Sequence, residues 1–309
     1  VTILKGMIEK IRIAFRRSDL AIKRSELFIN VIKSKFPEIE IERLIKVPEA
    51  DKYMKLLFSD FGKQGGFTGV FEKALQEKEI DIAVHCGKDV PLTLPEGIAF
   101  HAFSRGDDRN VIVFLKGVVT KNGDMLEKIT GETVRFTVSN FCRKMQIDSL
   151  FKTDCVLERA NVPEQIAWLR NGEADCIMVS ASAVDLLYLK EMEDLDFLYL
   201  ERNEIVPVFN QSVIGVEYRS EDKEIEKIIK EVADKNTVEE VQAERYLLSL
   251  LKGGVDEMIG VNCHIEGEEM SVCGAVYSDS TAKKACVSGE AITWSYMCDK
   301  VYEKLSDRR

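Results

Sequence analysis

The sequence predicts an α/β protein with two doubly wound lobes on either side of a cleft, followed by a small α+β domain. Strand-like and helix-like segments alternate from residue 11 to 85, and the alternation repeats from 110 to 202. Such alternation is typical of parallel sheets covered by helices. After residue 220 the pattern changes to helices, then three strands and a last helix. We therefore expect lobe 1 at 1–106 with 208–220, lobe 2 at 107–207 and the third domain at 221–309.

The first unit reads as β-α-β-α-β. We predict strands at 11–15, 39–45 and 81–85, and helices at 16–36 and 70–79. In the first helix we expect Ser18 or Asp19 to cap the N-terminus. Apolar residues at helical spacing predict its buried face, and they are Leu20, Leu27, Phe28, Val31 and Ile32.

The second unit and the tail follow the same reading. We predict strands at 110–117, 134–140, 175–181 and 196–202, with a helix at 163–171. The segment 212–219 is a further strand that can return to the first unit. In the tail we predict helices near 221–235, 237–251 and 292–307, and strands at 258–267, 268–279 and 283–291.

The amino-acid composition and net charge argue against some classes of function. Lys and Arg total 43 against 53 Asp and Glu, which gives a formal net charge of -10. A surface of this sign repels nucleic acid and acidic membranes. Neither a long apolar span nor an apolar leader segment is visible, so we expect a cytoplasmic protein, and we expect a monomer. An anionic small ligand is possible if the positive charge is concentrated in one cleft.

The cysteine pattern predicts no metal site. None of the eight cysteines forms a C-x-x-C pair, and three histidines cannot complete a zinc motif. For most of these cysteines we expect the role of a small buried apolar residue.

Charged side chains follow the predicted strands of both units. They lie in 16–18, in 85–89 and in 139–143, each at the carboxyl end of a strand. Ligands of open parallel sheets bind beyond those ends, where helix N-termini favour anions. We therefore expect Lys88 and Asp89 to face the cleft between the lobes. The alternative for Asp89 is a turn cap before Pro91.

Four segments, in order, resemble the porphobilinogen deaminase family, also called hydroxymethylbilane synthases. RIAFRRSDLA (12–21) resembles R-I-A-T-R-x-S-x-L-A, and DIAVHCGKDVP (81–91) resembles D-I-A-V-H-S-x-K-D-V-P. LRNGEADCIMVSASAVDLL (169–187) and PVFNQSVIGVEYR (207–219) resemble two later motifs of the family. The resemblance runs from about residue 11 to 260, and the second motif is the most specific.

The resemblance implies two periplasmic-binding-protein-like lobes, a third domain and a transferase. The family joins four porphobilinogen molecules head to tail and holds the growing chain on a dipyrromethane cofactor, which is bonded through a thioether to a cysteine of the third domain. By this resemblance Asp89 is the catalytic carboxylate. The substrate- and cofactor-binding residues implied are Lys88, Arg16, Ser18, Ser139, Arg143 and Arg159. The alternative for each arginine is a solvated surface charge.

Several positions depart from the family pattern. Val255 stands where the family has the cofactor cysteine, and valine has no nucleophile, so the cofactor is not expected to be attached in the usual way. Cys142 and Gln165 replace two arginines, and each lost arginine removes contacts worth about 1.5–3 kcal/mol when well formed. The other departures are GKQGGF at 62–67, Asn210-Gln211-Ser212 for G-Q-G, and 183–187 without a lysine.

Another thiol is a candidate anchor for a pyrrole. Cys86 and Cys142 lie within cleft motifs, next to Lys88 and Arg143. A thiol near a cation has a lowered pKa, so we hypothesise that either one is reactive. Cys263 is expected to lie too deep in a strand.

Three functions remain open from the sequence. The first is a porphobilinogen deaminase-type transferase in tetrapyrrole biosynthesis. The second is a catalytically impaired paralogue that binds porphobilinogen or another small anionic carboxylate in the cleft. The third is a two-lobed solute-binding sensor, since the same architecture serves that role.

Overall fold

The computed structural model describes residues 8–48, 66–122, 125–128, 130–151, 153, 155–251, 258–278 and 281–306. The strands are β1 (Lys10–Phe15), β2 (Glu40–Ile45), β3 (Ile82–Cys86), β4 (Ile98–Arg105), β5 (Asn110–Leu115), β6 (Val119–Asn122), β7 (Met125–Lys128), β8 (Phe136–Val138), β9 (Val156–Leu157), β10 (Cys176–Ser180), β11 (Leu195–Leu200), β12 (Val213–Arg219), β13 (Ile259–Glu266), β14 (Glu269–Ser278) and β15 (Thr281–Glu290). The helices are α1 (Asp19–Lys35), α2 (Gly69–Gln76), α3 (Phe141–Phe151), α4 (Val162–Asn171), α5 (Ala181–Leu186), α6 (Lys223–Val232), α7 (Lys235–Leu250) and α8 (Trp294–Ser306).

The first sheet has the strand order β2-β1-β3-β12-β4. Strand β1 runs parallel to β2 and β3, whereas β12 runs antiparallel to β3 and to β4. The last strand to join this sheet therefore comes from beyond lobe 2. The predicted α/β class with two lobes and a small α+β domain is confirmed.

The second sheet repeats this arrangement in the order β11-β5-β10-β8-β9. Here β5 is the antiparallel strand, paired with β10 on one side and β11 on the other. Strand β5 follows directly on β4 of the first sheet, and β12 follows on β11 of the second. Each lobe thus receives its antiparallel strand across the cleft, and the chain crosses between the lobes twice.

The buried face of α1 differs from the prediction. Phe28 and Ile32 are fully buried on the first sheet as expected, but Leu27 is 45% and Val31 40% exposed. Leu20 packs with the hydrophobic cluster of lobe 2 rather than with that of lobe 1. Ser18 is the N-cap residue, yet its side chain makes no capping hydrogen bond. Helix α1 packs against the hydrophobic clusters of both lobes, so its buried residues do not form a single apolar stripe.

Elements absent from the prediction are β4, the β6–β7 hairpin, α3, the short strand β9 and the short helix α5. Strand β4 carries His101 and Arg105 among its apolar residues, which hides the alternation. Helix α3 buries polar side chains, including Arg143 and Gln146, so its inward face has no apolar stripe.

The third domain is a three-stranded antiparallel sheet, β13-β14-β15, covered by α7 and α8. Helix α6 instead packs on lobe 1, where Ile225, Ile228 and Ile229 join its hydrophobic cluster. We therefore propose that the third domain begins near Ala233 rather than at residue 221. A disulfide joins Cys273 and Cys286 on facing strands, which the sequence reading missed.

A buried charge cluster connects the three domains. Arg105, at the end of β4, pairs with Asp108 of the crossing segment and with Glu240 and Glu244 of α7, at N–O distances of 3.2, 3.2 and 2.6 Å. Glu244 also accepts hydrogen bonds from the backbone N–H groups of Asn210 and of β13. Burial raises the pKa of Glu244 to about 7, against an ordinary value of 4.5.

This pKa predicts a specific pH dependence of stability. Between pH 4.5 and 7 the folded chain keeps a proton on Glu244 that the unfolded chain has lost. The free energy of unfolding should therefore fall as the pH rises through that window, by on the order of 3 kcal/mol. Urea unfolding at several pH values should show this fall in the wild type and not in Glu244→Gln. The control is Glu239→Gln, an exposed position on the same helix, and parallel curves for all three proteins would contradict the assignment.

Candidate functional site

A cavity of about 750 Å³ lies between the two lobes. The carboxyl ends of β1, β3, β8 and β10 all open onto it, as expected for sheets of this topology. Every predicted site residue that the structure describes lines this cavity, namely Arg16, Ser18, Cys86, Lys88, Asp89, Ser139, Cys142, Arg143 and Arg159.

Asp89 lies in a single turn of 3₁₀ helix, Gly87–Asp89, directly after β3. Arg16 Nη1 donates to Asp89 Oδ2 at 3.3 Å, and both side chains are largely buried. Glycine is required at 87 because a Cβ there would lie 2.8 Å from the Cβ of Val213 on the neighbouring strand. The turn is thus pressed against β12, and its carboxylate is paired with a cation that enters from β1.

An aromatic ring lies between cations of the two lobes. The guanidinium of Arg16 stacks over Phe67 at 4.6 Å from the ring centroid, and that of Arg159 lies 5.8 Å from the same ring. Such cation–π contacts favour the placement of both guanidinium groups beside the same ring. The arrangement concentrates positive charge at the cavity wall.

Arg143 forms the floor of the cavity on the lobe 2 side. It is only 5% exposed, and its guanidinium donates to Asn110 Oδ1, the carbonyl of Met178 and Gln211 Oε1 at 2.9–3.1 Å. All three acceptors are neutral. Burial lowers the pKa of Arg143 to about 10, so it remains a cation at neutral pH. A buried cation paired with neutral oxygens favours an anionic ligand.

Helix N-termini add to the positive electrostatic potential in the cavity. Helices α1, α3 and α4 all begin at the cavity, at Ser18, Asn140 and Asn161. Asn140 accepts from the backbone N–H of Arg143, and Asn161 forms a capping box with Glu164. The positive ends of the three helix dipoles therefore point toward the same space, which favours carboxylates.

Burial argues against the hypothesis of a reactive Cys142. Its side chain is 2% exposed, and burial raises the pKa of its thiol to about 12 despite the adjacent Arg143. Desolvation of the thiolate outweighs the nearby cation. Cys86 differs, since it is the one free cysteine in the described part of the chain that is not buried. Cys263 is fully buried in β13, as expected.

The other departed positions have structural roles. Gln165 is buried and its Nε2 donates to the carbonyl of Ala160, so it braces the start of α4. Asn210 and Ser212 adopt φ values of 53° and 65°, a left-handed conformation that favours glycine. Two residues with side chains thus hold left-handed conformations at the positions that correspond to the family's two glycines. Val255 and residues 62–65 lie outside the described residues.

A scan of family models settles the relationship. The model described as "Porphobilinogen deaminase, dipyromethane cofactor binding domain" matches residues 11–227. The chain belongs to the porphobilinogen deaminase family. Within the described residues, no helix is long and apolar enough to span a bilayer.

Curated relatives agree with this assignment. The porphobilinogen deaminase of Oceanobacillus iheyensis is 30% identical over 271 residues, which cover 87% of this chain and 85% of that protein. That of Prochlorococcus marinus subsp. pastoris is 29% identical over 303 residues, covering 97% and 92%. The similarity therefore includes the third domain as well as the two lobes.

Among solved structures, a sulfate-bound regulatory domain of OxyR2 from Vibrio vulnificus matches with a TM-score of 0.42 and 13% identity. The match covers 75% of this chain and all of that domain. At this level of similarity, the family assignment rests on the sequence matches.

The thiol environments predict the order of chemical modification. Under non-reducing conditions at neutral pH, iodoacetamide should modify Cys86 before any other free cysteine, because the remaining five are buried. Cys142 should stay unmodified, since its thiol is a negligible source of thiolate at this pH. Peptide mass mapping over time measures this order. In Cys86→Ser the fast phase should vanish; rapid labelling of Cys142 in the folded protein would contradict the burial argument.

Proposed function

We propose that this chain is a porphobilinogen deaminase-type transferase, which condenses porphobilinogen head to tail into hydroxymethylbilane in tetrapyrrole biosynthesis. One observation carries the proposal: Asp89, paired with Arg16, lies in a cavity whose described lining has six lysine and arginine side chains against three carboxylates. Family membership supplies the reaction class. A cytoplasmic location and a monomeric state belong to the same proposal.

Asp89 has the chemistry that the reaction needs. Loss of ammonia from the aminomethyl group of porphobilinogen leaves a cationic azafulvene, and the carbon of a second pyrrole attacks it and then loses a proton. A carboxylate near the pyrrole nitrogens stabilises the cation and accepts protons. The ion pair with Arg16 and the turn that begins at Gly87 fix the orientation of this carboxylate.

The cationic groups fit the acetate and propionate side chains of pyrroles. Arg143 offers a buried guanidinium and Arg159 a partly exposed one, on the same side of the cavity. Lys88 adds a compact charge, and Ser18 and Ser139 add hydroxyl donors next to helix N-termini. Charge-assisted hydrogen bonds of this kind are about twice as strong as neutral ones.

The same residues fit the dipyrromethane cofactor of the family. When bound, this group supplies the pyrrole pair from which the product chain is extended. Arg16, Arg143 and Arg159 would hold its carboxylates; they are three of the five arginines in the described cavity lining. Since Val255 replaces the family's cysteine, we propose that any attachment differs from the usual thioether.

The runner-up is a paralogue that binds a small carboxylate ligand in the cavity without turnover. Cys142 and Gln165, which replace two arginines and are committed to structural contacts, favour it. With fewer cations the cavity suits one small anion better than a long chain of pyrroles. Ligand-induced stabilisation without product would indicate this function.

Turnover tests the proposal directly. The purified chain should consume porphobilinogen and release ammonia, and Asp89→Asn should lower kcat by at least about 100-fold, because it removes the charge that stabilises the cation. Asp194→Asn, an exposed aspartate far from the cavity lining, is the matched control and should retain activity. Binding of porphobilinogen by the wild type without ammonia release would support the runner-up and exclude the transferase.

Intact mass tests the attachment of a pyrrole. We expect the protein incubated with porphobilinogen to gain the mass of two pyrrole units, and Cys86→Ser to lose that gain. The reason is that Cys86 is the accessible thiol of the cavity. A gain that survives in Cys86→Ser would place the bond elsewhere, whereas no gain at all would mean that pyrroles bind reversibly.

A further inference from the structure

Arg245 of α7 reaches from the third domain to the segment that follows Asp89. Its Nη2 donates to the carbonyl of Pro91 at 2.7 Å and to that of Leu92 at 3.0 Å. Arg245 is absent from the cavity lining. It therefore touches the backbone beyond the catalytic turn while making no contribution to the surface that a ligand meets.

Further contacts hold residues 90–92, the segment that follows Asp89. Val90 N–H closes the 3₁₀ turn onto the carbonyl of Gly87, and Val90 is fully buried. Pro91 has no N–H of its own, so its carbonyl is its single backbone group that can be hydrogen-bonded. Leu92 packs against the hydrophobic cluster of the third domain. Two successive residues after Asp89 are thus docked on the third domain.

The guanidinium of Arg245 also contacts an aromatic ring on the β12 side of the turn. It stacks over Phe100 at 4.9 Å from the ring centroid. The Phe100 ring occupies the space over Gly215, where a Cβ would collide with it and would lie 3.4 Å from the Cα of Gly87. A continuous stack therefore runs from Arg245 through Phe100 and β12 to the start of the turn. Arg245 remains a cation at neutral pH, since burial lowers its pKa only to about 10.

We propose that Arg245 is a positioning residue, which ties the Gly87–Asp89 turn to the third domain and so sets the orientation of the Asp89 carboxylate. This inference rests on the proposed function, in which Asp89 carries the chemistry. Because Arg245 acts through the backbone, its loss should lower kcat and leave KM for porphobilinogen nearly unchanged.

Three variants test the positioning role. Arg245→Met keeps the apolar length of the side chain and removes both donors. Arg245→Lys keeps the charge, and its ammonium can bridge the same two carbonyls, so it should rescue part of the effect. Lys235→Met removes a cation from an exposed position on the same helix and is the matched control.

Hydrogen exchange provides a readout that does not require activity. In Arg245→Met the amides of residues 86–94 should exchange at least about tenfold faster than in the wild type, while the amides of β10 in lobe 2 keep their protection. Arg245→Lys should fall between the two. In turnover, kcat should fall about 10- to 100-fold in Arg245→Met, since small misplacements of a catalytic group have effects of that size.

Two results would overturn the proposal. Unchanged exchange at 86–94 in Arg245→Met would show that the turn does not depend on this residue. Faster exchange throughout the protein, β10 included, would make Arg245 a general stabilising residue. If the wild type does not turn over porphobilinogen, the proposed function fails alone, because exchange at 86–94 still decides the role of Arg245.

Discussion

The domain arrangement depends on the ion pairs of the buried Arg105 guanidinium. It lies where lobe 1 ends, and it pairs with carboxylates of the crossing segment and of α7. Removing one partner of a buried ion pair typically costs about 3–5 kcal/mol, because the other charges stay buried and unpaired. Three domains therefore share one electrostatic centre. The adjacent residues Glu244 and Arg245 extend these contacts to the backbone of Asn210 and to that of Pro91, which follows the Gly87–Asp89 turn.

The sequence predicts what backbone order determines. The parallel strands of one sheet end at the same edge, so side chains after β1 and β3 had to meet, and Arg16 and Asp89 do so at 3.3 Å. It predicts poorly what depends on several neighbours at once. The buried face of α1 was predicted incorrectly because Leu20 packs against the other lobe. The packing of α6 on lobe 1 depends on contacts that no local sequence pattern reveals. The neutral partners of Arg143 and the high pKa of the Cys142 thiol follow from burial, which residue types alone do not give.

The cavity is bordered by residues with side chains in backbone conformations that favour glycine. Asn210 and Ser212 hold left-handed conformations that cost roughly 1–2 kcal/mol each in residues other than glycine. Surrounding contacts offset that cost, including the bond from the Ser182 hydroxyl to the Ser212 hydroxyl at 2.7 Å. Gln165 likewise stands at a position where the family has an arginine, and its side chain donates a hydrogen bond to the backbone at the start of α4. The architecture of the cleft thus tolerates substitutions that change how many negative charges it can hold.

The exchange of β5 and β12 between the two sheets limits how the lobes can move. Two separate chain crossings join the lobes, and each continues into a strand paired on both sides within the opposite sheet. A single connection would allow twisting and swinging in any direction. Two connections define a hinge axis, the line that joins them. They favour rotation about this axis and resist other motions. Opening and closing of this cleft would then follow one path, along which Arg143 and Asp89 approach or separate without sliding past each other.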